Sequence, residues 1–214
     1  ALLDAHKKNG GRPVSSILDL SPCDVIITSL PSINAFHVVM DALAGSQVPV
    51  PDMFQLCEDL DVIGSVFFIM GYENGSIFWD PALPELNTSE RISIYEDEIR
   101  VLAALHSLDP SRIGLSGFGR PGNYFERQIK RWTDQYRASE TRSIDAMESL
   151  MQWLGQEMPD DDGQSALIHG DYRLDNLIMT PDSTRIQAVI DWELSTLGHP
   201  LADLAYFCMC LRMP

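Results

Sequence analysis

The run LIHGDYRLDNLIM, at residues 167–179, constrains this chain more than any other stretch. Apolar residues at both ends predict short buried strands, and the residues between them are too polar to be packing material. A loop fixed at both ends by strands is a suitable place to hold reactive groups. Taken alone, the run also fits a hairpin whose acids are merely solvated.

The sequence downstream favours chemistry over solvation. RIQAVIDWE, at residues 185–193, contains an apolar strand after the turn TPDST, and we expect it to pair back onto residues 176–179 as a hairpin. Asn176 and Asp191 then lie on adjacent antiparallel strands, where an amide oxygen and a carboxylate suit Mg²⁺. Asp171, across the loop, is free to accept a proton from a substrate hydroxyl. These are the parts that phosphoryl transfer requires.

The composition restricts partners and compartment. The 214 residues include 31 acids and 15 bases, so we expect no nucleic-acid partner, because phosphate backbones are bound by Lys and Arg. The four cysteines form no CxxC pair and have no His at ligand spacing, which predicts a reduced, intracellular setting, with the cytoplasm favoured and mitochondria or peroxisomes as alternatives. No apolar run is long enough for membrane insertion, and no signal peptide is visible, although both ends look cut.

Three amphipathic helices are predicted before the polar loop. The first begins at Asn87, with Glu90 completing a variant of the capping box, the second at Asn123 with Glu126, and the third at Ser143. Their predicted apolar faces are Ile92, Tyr95, Ile99, Leu102 and His106, then Phe125, Ile129, Trp132 and Tyr136, then Met147, Leu150 and Leu154.

Strands dominate the first part of the chain. Residues 48–59 carry two prolines and predict an edge strand, and residues 65–79 predict a buried strand, a turn and a second apolar piece. After the hairpin, Pro200 suits the first turn of a helix over residues 201–212.

HGDYRLDN and IDWE resemble the H-G-D-x(4)-N catalytic loop and the D-[FW] metal motif of aminoglycoside phosphotransferase (APH)-like kinases, small-molecule relatives of the protein kinases. One subgroup includes the kinase-like domains beside acyl-CoA dehydrogenase domains in multidomain proteins. That subgroup is similar in blocks at residues 48–51, 67–75, 102–110, 119–141 and 191–206. The resemblance covers residues 37–214 and implies an α+β, protein-kinase-like, two-lobed fold, with a truncated N-terminal lobe and a mainly helical C-terminal lobe carrying the catalytic β-hairpin.

The resemblance also implies roles within the loop. Asp171 matches the catalytic base, and Asn176 and Asp191 match the metal ligands that help to bind the nucleotide. Arg173 is grouped with the catalytic residues, near the γ-phosphate. A surface ion pair between Arg173 and Asp175 is the alternative.

Other matched positions surround the loop. His169 is grouped with the catalytic residues, although we expect it to hold the loop by hydrogen bonds rather than to do chemistry. Asp203 matches an acid that braces the loop, with helix capping as the alternative, and His106 is expected to be a satisfied core histidine. The hinge that joins the lobes and presents backbone groups to adenine is matched by Met70, Gly71 and Tyr72.

The nucleotide-clamping half of the small lobe is not recognisable. The family's helix Glu would fall near Ala35 or Phe36, and Lys7 and Lys8 precede a turn rather than a strand. Residues 1–36 are therefore interpreted as an atypical segment without a partner sheet, in which residues 14–35 resemble 3-hydroxyisobutyrate dehydrogenase. The other expected divisions are the rest of the small lobe with the hinge at 37–75 and a C-terminally truncated large lobe at 76–214.

The predicted function is an ATP- and Mg²⁺-dependent phosphotransferase. It moves the γ-phosphoryl group to a hydroxyl of a small metabolite, with a hydroxyacyl compound as one candidate, and association with other domains of a larger chain is expected. The missing Lys and Glu leave open a non-catalytic kinase-fold remnant. A fragment of an NAD-dependent hydroxyacid dehydrogenase is the third hypothesis, although the kinase-like blocks cover far more of the chain.

Overall fold

The computed structural model describes residues 25–28, 33–120, 122–181 and 185–212, with side chains from Phe36 onward. The helices and strands are, in chain order, β1 (Val25–Thr28), α1 (Ile33–Leu43), β2 (Met53–Cys57), α2 (Leu60–Ile63), β3 (Phe67–Gly71), α3 (Thr88–His106), α4 (Tyr124–Ser139), α5 (Asp145–Gln156), β4 (Ala166–Ile168), β5 (Leu177–Met179), β6 (Ile186–Val189), β7 (Thr196–Gly198) and α6 (Leu201–Cys210). Two short 3₁₀ helices are Leu174–Asn176 and Trp192–Leu194. The mixture of helices and strands agrees with the predicted α+β class.

The N-terminal sheet has three antiparallel strands with β3 in the middle. The strand β2 lies at one edge, as predicted from the neighbouring prolines. The strand β1 lies at the other edge, where Val25 pairs with Gly71 and Thr28 with Phe68. The expectation that residues 1–36 lack a partner sheet is therefore wrong for β1, because β3 offers its second edge. Residues 1–24 and 29–32 lie outside the described residues, and the division at residue 36 stays a prediction.

The helix α3 has the predicted start but a different buried face. The Asn87 side chain accepts from the Glu90 amide and the Glu90 side chain accepts from the Asn87 amide, so the capping box is confirmed. The predicted apolar face is wrong at Ile92 and Ile99, which are 52% and 44% exposed, and right at Leu102, which is buried. The residues that α3 buries are Ile94, Asp97, Glu98, Val101, Leu102 and Leu105. The two acids within this stripe hide it from a search for apolar periodicity.

The helices α4 and α5 are confirmed, with differences at their starts and in how far their predicted apolar faces are buried. The Asn123 side chain makes no capping hydrogen bond, and α5 begins after Ile144 rather than at Ser143. Neither helix contains a buried residue, and both Trp132 and Leu150 are exposed. The other residues of the two predicted faces are half-buried, so these helices pack on the protein without adding a fully buried residue to its core.

The polar loop lies between two pairs of strands. β5 and β6 form the predicted hairpin, with Leu177 opposite Val189, and β4 pairs with β7. The Val189 amide donates to the Pro49 carbonyl at 2.8 Å, which joins this hairpin to the segment that precedes β2. No helix among the described residues is long and apolar enough to cross a bilayer.

The segment after β3 is fastened to the same hairpin. Ser76 and Met179 exchange two backbone hydrogen bonds of 2.9 and 2.8 Å. The approach is so close that a Cβ at Gly75 would lie 2.1 Å from the Met179 oxygen. Only glycine fits there, so Gly75 sets the contact between the chain leaving the first sheet and the hairpin that carries the polar residues.

Candidate active site

The loop HGDYRLDN begins with a turn that requires glycine. Gly170 has a φ of +87°, and a Cβ at this position would lie 2.6 Å from the Leu194 carbonyl oxygen. The 3₁₀ helix Leu174–Asn176 then turns the chain into β5. The loop therefore folds back on itself, with Asp171 at its bend and Asn176 at its end.

Asp203, in the first turn of α6, stabilises the turn at Gly170 through hydrogen bonds to its backbone. Its Oδ2 accepts from the His169 amide and its Oδ1 from the Gly170 amide, both at 2.8 Å. His106 Nε2 lies 3.0 Å from the same Oδ2. Because Asp203 is 1% exposed, these charge-assisted contacts are protected from water. The bracing role implied by the resemblance is thus present, and His106 is a satisfied histidine, as expected.

His169 is buried, and both of its ring nitrogens are used. Nδ1 accepts from the Asp171 amide at 3.2 Å, so Nε2 carries the proton that it donates to the Ile190 carbonyl at 2.9 Å. Burial lowers the pKa of His169, which favours this neutral form. Its ring also packs on Trp192, with 4.6 Å between the centroids. The geometry gives His169 a supporting position between the loop and the following strand.

The Asp171 carboxylate faces two neighbours within its own loop. Its Oδ2 accepts from Asn176 Nδ2 at 3.0 Å, and its Oδ1 lies 3.5 Å from Arg173 Nε. Arg173 also pairs with Asp175, at 2.9 Å between Nη2 and Oδ2, so the surface ion pair considered as an alternative is present. The structure therefore brings Asp171, Arg173 and Asn176 together.

Asp191 joins this group through the backbone. The Ile190 amide donates to the Asn176 carbonyl at 3.0 Å, which places Asp191 next to the end of the loop. Asp191 has a φ of +65°, an uncommon conformation for a residue with a side chain, and such strain is found at functional sites.

The oxygen atoms of Asn176 and Asp191 suit Mg²⁺, provided that a bound ligand supplies further oxygens. Asn176 points its amide nitrogen at Asp171, which leaves Oδ1 free, and within the described chain no group donates to this atom or to the Asp191 carboxylate. Both are oxygen ligands, which Mg²⁺ prefers. The described residues contain no cluster of three or more His, Cys, Asp or Glu that could hold a metal alone. Phosphate oxygens and waters would have to supply the other ligands.

The predicted hinge lies at the end of β3. Met70 and Gly71 are the last residues of this strand, and Tyr72 follows with half of its surface exposed. The Gly71 amide already donates to the Asp52 carbonyl at 2.8 Å. Adenine recognition through this segment would therefore depend on its other backbone groups.

The family's helix Glu was expected near Ala35 or Phe36, and the structure shows the contacts of Phe36. Phe36, on α1, stacks on Phe68 of β3 with 5.5 Å between the ring centroids. The sequence of α1 contains a single acid, Asp41, which is exposed. Lys7 and Lys8 lie outside the described residues.

A cavity of about 540 Å³ opens beside the loop. Arg173, Asp175 and Tyr206 line one side, and Trp79 lines the side contributed by the chain after β3. Tyr206 was missed by the sequence analysis. Its only signal was its position in DLAY, three residues after Asp203 and so on the same face of a helix.

Glu98 was also missed. It is fully buried on α3, and neither carboxylate oxygen has a hydrogen-bond partner in the described chain. Burial raises its pKa to about 8. Its position in the stripe of Ile94, Val101 and Leu102 was the signal that could have found it.

Comparison with protein families gives a match over most of this chain. The model of the phosphotransferase enzyme family, APH, matches residues 16–214. This range includes the loop, the hairpin and the N-terminal sheet.

Two curated relatives show where similar sequences occur. Acyl-CoA dehydrogenase family member 10 of Mus musculus is 46% identical over 198 residues, which cover 92% of this chain and 18% of the relative. Acyl-CoA dehydrogenase family member 11 of Gallus gallus is 43% identical over 201 residues, which cover 94% and 26%. This chain spans about a quarter or less of the length of these relatives, which are larger proteins.

Solved structures agree in fold. A protein from Ralstonia eutropha JMP134 that is named after the aminoglycoside phosphotransferases has 50% identity and a TM-score of 0.85, over 91% of this chain and 60% of that one. The ternary complex of a thermostable mutant of APH(4)-Ia with ADP and hygromycin B has 19% identity and a TM-score of 0.62, over 85% and 62%. The protein-kinase-like fold expected from the sequence is confirmed by these similarities.

Proposed function

Because this chain belongs to the phosphotransferase enzyme family, we propose that it is an ATP- and Mg²⁺-dependent kinase for a small molecule with a hydroxyl group. The observation that carries the proposal is the arrangement at the end of the loop. The Asn176 amide nitrogen is turned to Asp171, and this leaves the Asn176 Oδ1 and the Asp191 carboxylate without a protein donor in the described chain. A base and a pair of oxygen ligands are thus adjacent but separate.

The chemistry proposed for each residue follows from these contacts. Asp171 accepts the proton of the acceptor hydroxyl as the hydroxyl oxygen bonds to the γ-phosphorus, and the bond from that phosphorus to the bridging oxygen of ADP breaks, so ADP leaves. The Asn176 Oδ1 and Asp191 would hold Mg²⁺, which would neutralise charge at the phosphate oxygens. Arg173, 42% exposed at its side chain, can leave Asp175 to meet the developing negative charge.

For the acceptor we propose a small metabolite with a hydroxyl on an acyl chain. The support is indirect: the relatives carry the name acyl-CoA dehydrogenase, and they extend far beyond the matched region. The hinge residues Met70, Gly71 and Tyr72 are proposed to contact adenine through the backbone groups that β3 pairing leaves available.

A second candidate is a kinase fold that binds nucleotide without turnover. It is favoured by one observation, the packing of Phe36 on Phe68 where the family's helix Glu was expected. Without that Glu, a Lys for the α- and β-phosphates would have no partner of the usual kind.

The test is a thermal-shift titration with ATP, with and without Mg²⁺, followed by a screen of hydroxylated acceptors. A ligand that binds the native state raises its stability by about 2.7 kcal/mol at a hundredfold excess over Kd. We expect a Mg²⁺-dependent shift that Asp191→Asn abolishes. Glu193→Gln, an exposed change two residues on, is the matched control and should keep the shift.

Turnover separates the two candidates. A kinase loses ATP-dependent phosphorylation of its acceptor when Asp171 is changed to Ala, whereas a non-catalytic chain shows the binding shift and no turnover to lose. No shift with millimolar ATP would refute both nucleotide-binding candidates and leave a kinase-fold remnant that keeps the motif without the clamp. A shift with NAD alone would instead favour the dehydrogenase hypothesis.

A further inference from the structure

The segment that follows the predicted hinge is held on the β5–β6 hairpin by a side-chain contact as well as by its backbone. Gln187 Nε2, on β6, donates to Glu73 Oε2 at 2.5 Å, across 114 positions of the sequence. A little further along the segment, Ser76 exchanges its two backbone hydrogen bonds with Met179 of β5. The segment over residues 73–76 therefore contacts both strands of the hairpin.

An irregularity in β6 explains how Gln187 reaches this segment. Ile178 pairs with Ala188 and Met179 with Ile186, so Gln187 is an extra residue without a partner in β5. Such a bulge bends its strand and redirects a side chain. Ile186 and Ala188 are buried on either side, whereas Gln187 is half-buried. The bulge thus gives Gln187 a place outside the core, against Glu73.

The same two strands lead to the proposed metal ligands at their other end. Asn176 directly precedes β5, and Asp191 follows β6. At about 3.3 Å per extended residue, the chain from Gln187 to Asp191 covers at most about 13 Å. Glu73, in turn, directly follows the proposed hinge at residues 70–72. A nucleotide held by its base at the hinge and by its phosphates near Asp191 would therefore span the contact between Glu73 and Gln187.

We propose that Glu73 and Gln187 are a positioning pair that fixes the hinge relative to the metal-binding end of the hairpin. When their contact is broken, the segment is still attached at Ser76, but the hinge takes several orientations relative to Asp191. A ligand that needs both ends then binds only the aligned fraction of molecules, and its apparent Kd rises by the inverse of that fraction. A ligand that needs one end is unaffected. This inference rests on the nucleotide site of the proposed phosphotransferase function.

The test compares two ligands by isothermal titration calorimetry on the full chain. Mg·ATP engages the hinge and the metal ligands, whereas Mg·tripolyphosphate has no base and engages the metal ligands alone. Gln187→Glu places a second carboxylate against Glu73. We expect the Kd for Mg·ATP to rise about tenfold, which corresponds to an aligned fraction of about a tenth, and the Kd for Mg·tripolyphosphate to stay nearly constant.

Glu73→Ala breaks the same contact from the other side. Glu73 is half-buried in a loop, so the protein should fold without its side chain. This variant changes the net charge in the opposite sense to Gln187→Glu, yet it should weaken Mg·ATP selectively in the same way. A common loss in two variants of opposite charge change is the result expected of a lost contact rather than of a changed field.

The exchanged pair, Glu73→Gln with Gln187→Glu, separates the contact from the charge more directly. It keeps the net charge of the parent and restores the hydrogen bond in the opposite direction, because an amide at position 73 can donate to a carboxylate at position 187. We expect the Kd for Mg·ATP to return to within about threefold of the parent value. Gln152→Glu, an exposed change on α5, adds the same charge outside the hinge and the hairpin and should leave both Kd values unchanged.

An unchanged Kd for Mg·ATP in the two single variants would overturn the inference. Equal losses for the two ligands would do the same, and so would an exchanged pair that does not recover Mg·ATP binding. Where Mg·tripolyphosphate binds too weakly to measure, recovery in the exchanged pair decides. These results leave the proposed function standing, because the unaltered chain still binds Mg·ATP. If the unaltered chain binds neither ligand, the proposed nucleotide site fails and the positioning pair with it.

Discussion

Glu98 should make the stability of this protein fall as the pH rises. Its carboxylate is fully buried on α3 without a hydrogen-bond partner in the described chain, and burial raises its pKa from 4.5 to about 8. In the unfolded chain the same group ionises near 4.5. Between these values the unfolded state releases a proton that the native state keeps, so the linkage favours unfolding at higher pH. The stabilisation is complete below pH 4.5 and is lost as the pH rises to about 8.

The size of this effect follows from the difference between the two pKa values. Each unit corresponds to about 1.4 kcal/mol, so the free energy of unfolding should fall by up to about 5 kcal/mol across that range. Glu98→Gln removes the titration and keeps the shape of the side chain. The variant should therefore gain stability relative to the parent as the pH rises, whatever constant offset the buried amide introduces.

The assay is urea unfolding at pH 4.5, 6 and 8, with the free energy of unfolding extrapolated for each chain. Glu96→Gln, an exposed change on the same helix, is the control and should run parallel to the parent. If Glu98→Gln also runs parallel to the parent over the whole range, the native state does not keep the proton, and the argument from burial is refuted.

Three further changes test contacts that position the loop or the helices, each by urea unfolding. Asp203→Asn leaves a single acceptor oxygen for the two amides it holds, so we expect a loss of about 1–3 kcal/mol and faster amide exchange at His169. Gly75→Ala places a Cβ against the backbone of β5 and should cost at least about 2 kcal/mol, whereas Gly155→Ala, where no atom lies within 4 Å, should not destabilise. Asn87→Ala removes the capping box of α3 and should cost about 1 kcal/mol, and an unchanged value would show that tertiary contacts alone define that helix start.

The hairpin and its loop could be predicted because their signals are local. Apolar residues flank the loop within a few positions, and the polar residues that resemble a catalytic motif are close together in the sequence. Antiparallel pairing of neighbouring strands then brings Asn176 near Asp191 with little choice of topology. The start of α3 was predictable for the same reason, since a capping box involves only Asn87 and Glu90.

The buried faces of the helices could not be predicted in the same way. On α3 the two acids occupy positions that a search for apolar residues excludes, yet Asp97 is buried because it accepts from the Ile186 amide at 2.8 Å. That partner is distant in sequence. Tyr206 was missed because its place in the cavity wall beside Arg173 and Asp175 is set by the tertiary fold.

The contacts of Asp203 with the HGDYRLDN loop also imply an order of events during synthesis. His169 and Asp203 are separated by 34 positions in the sequence, and His106 and Asp203 by 97. As a ribosome extends the chain at about 5–20 residues per second, the loop emerges seconds before the helix that fastens it. Until α6 has been made, the amides of His169 and Gly170 lack the Asp203 carboxylate that binds them in the folded protein. The loop is therefore completed late in synthesis, when Asp203 becomes available near the end of the sequence.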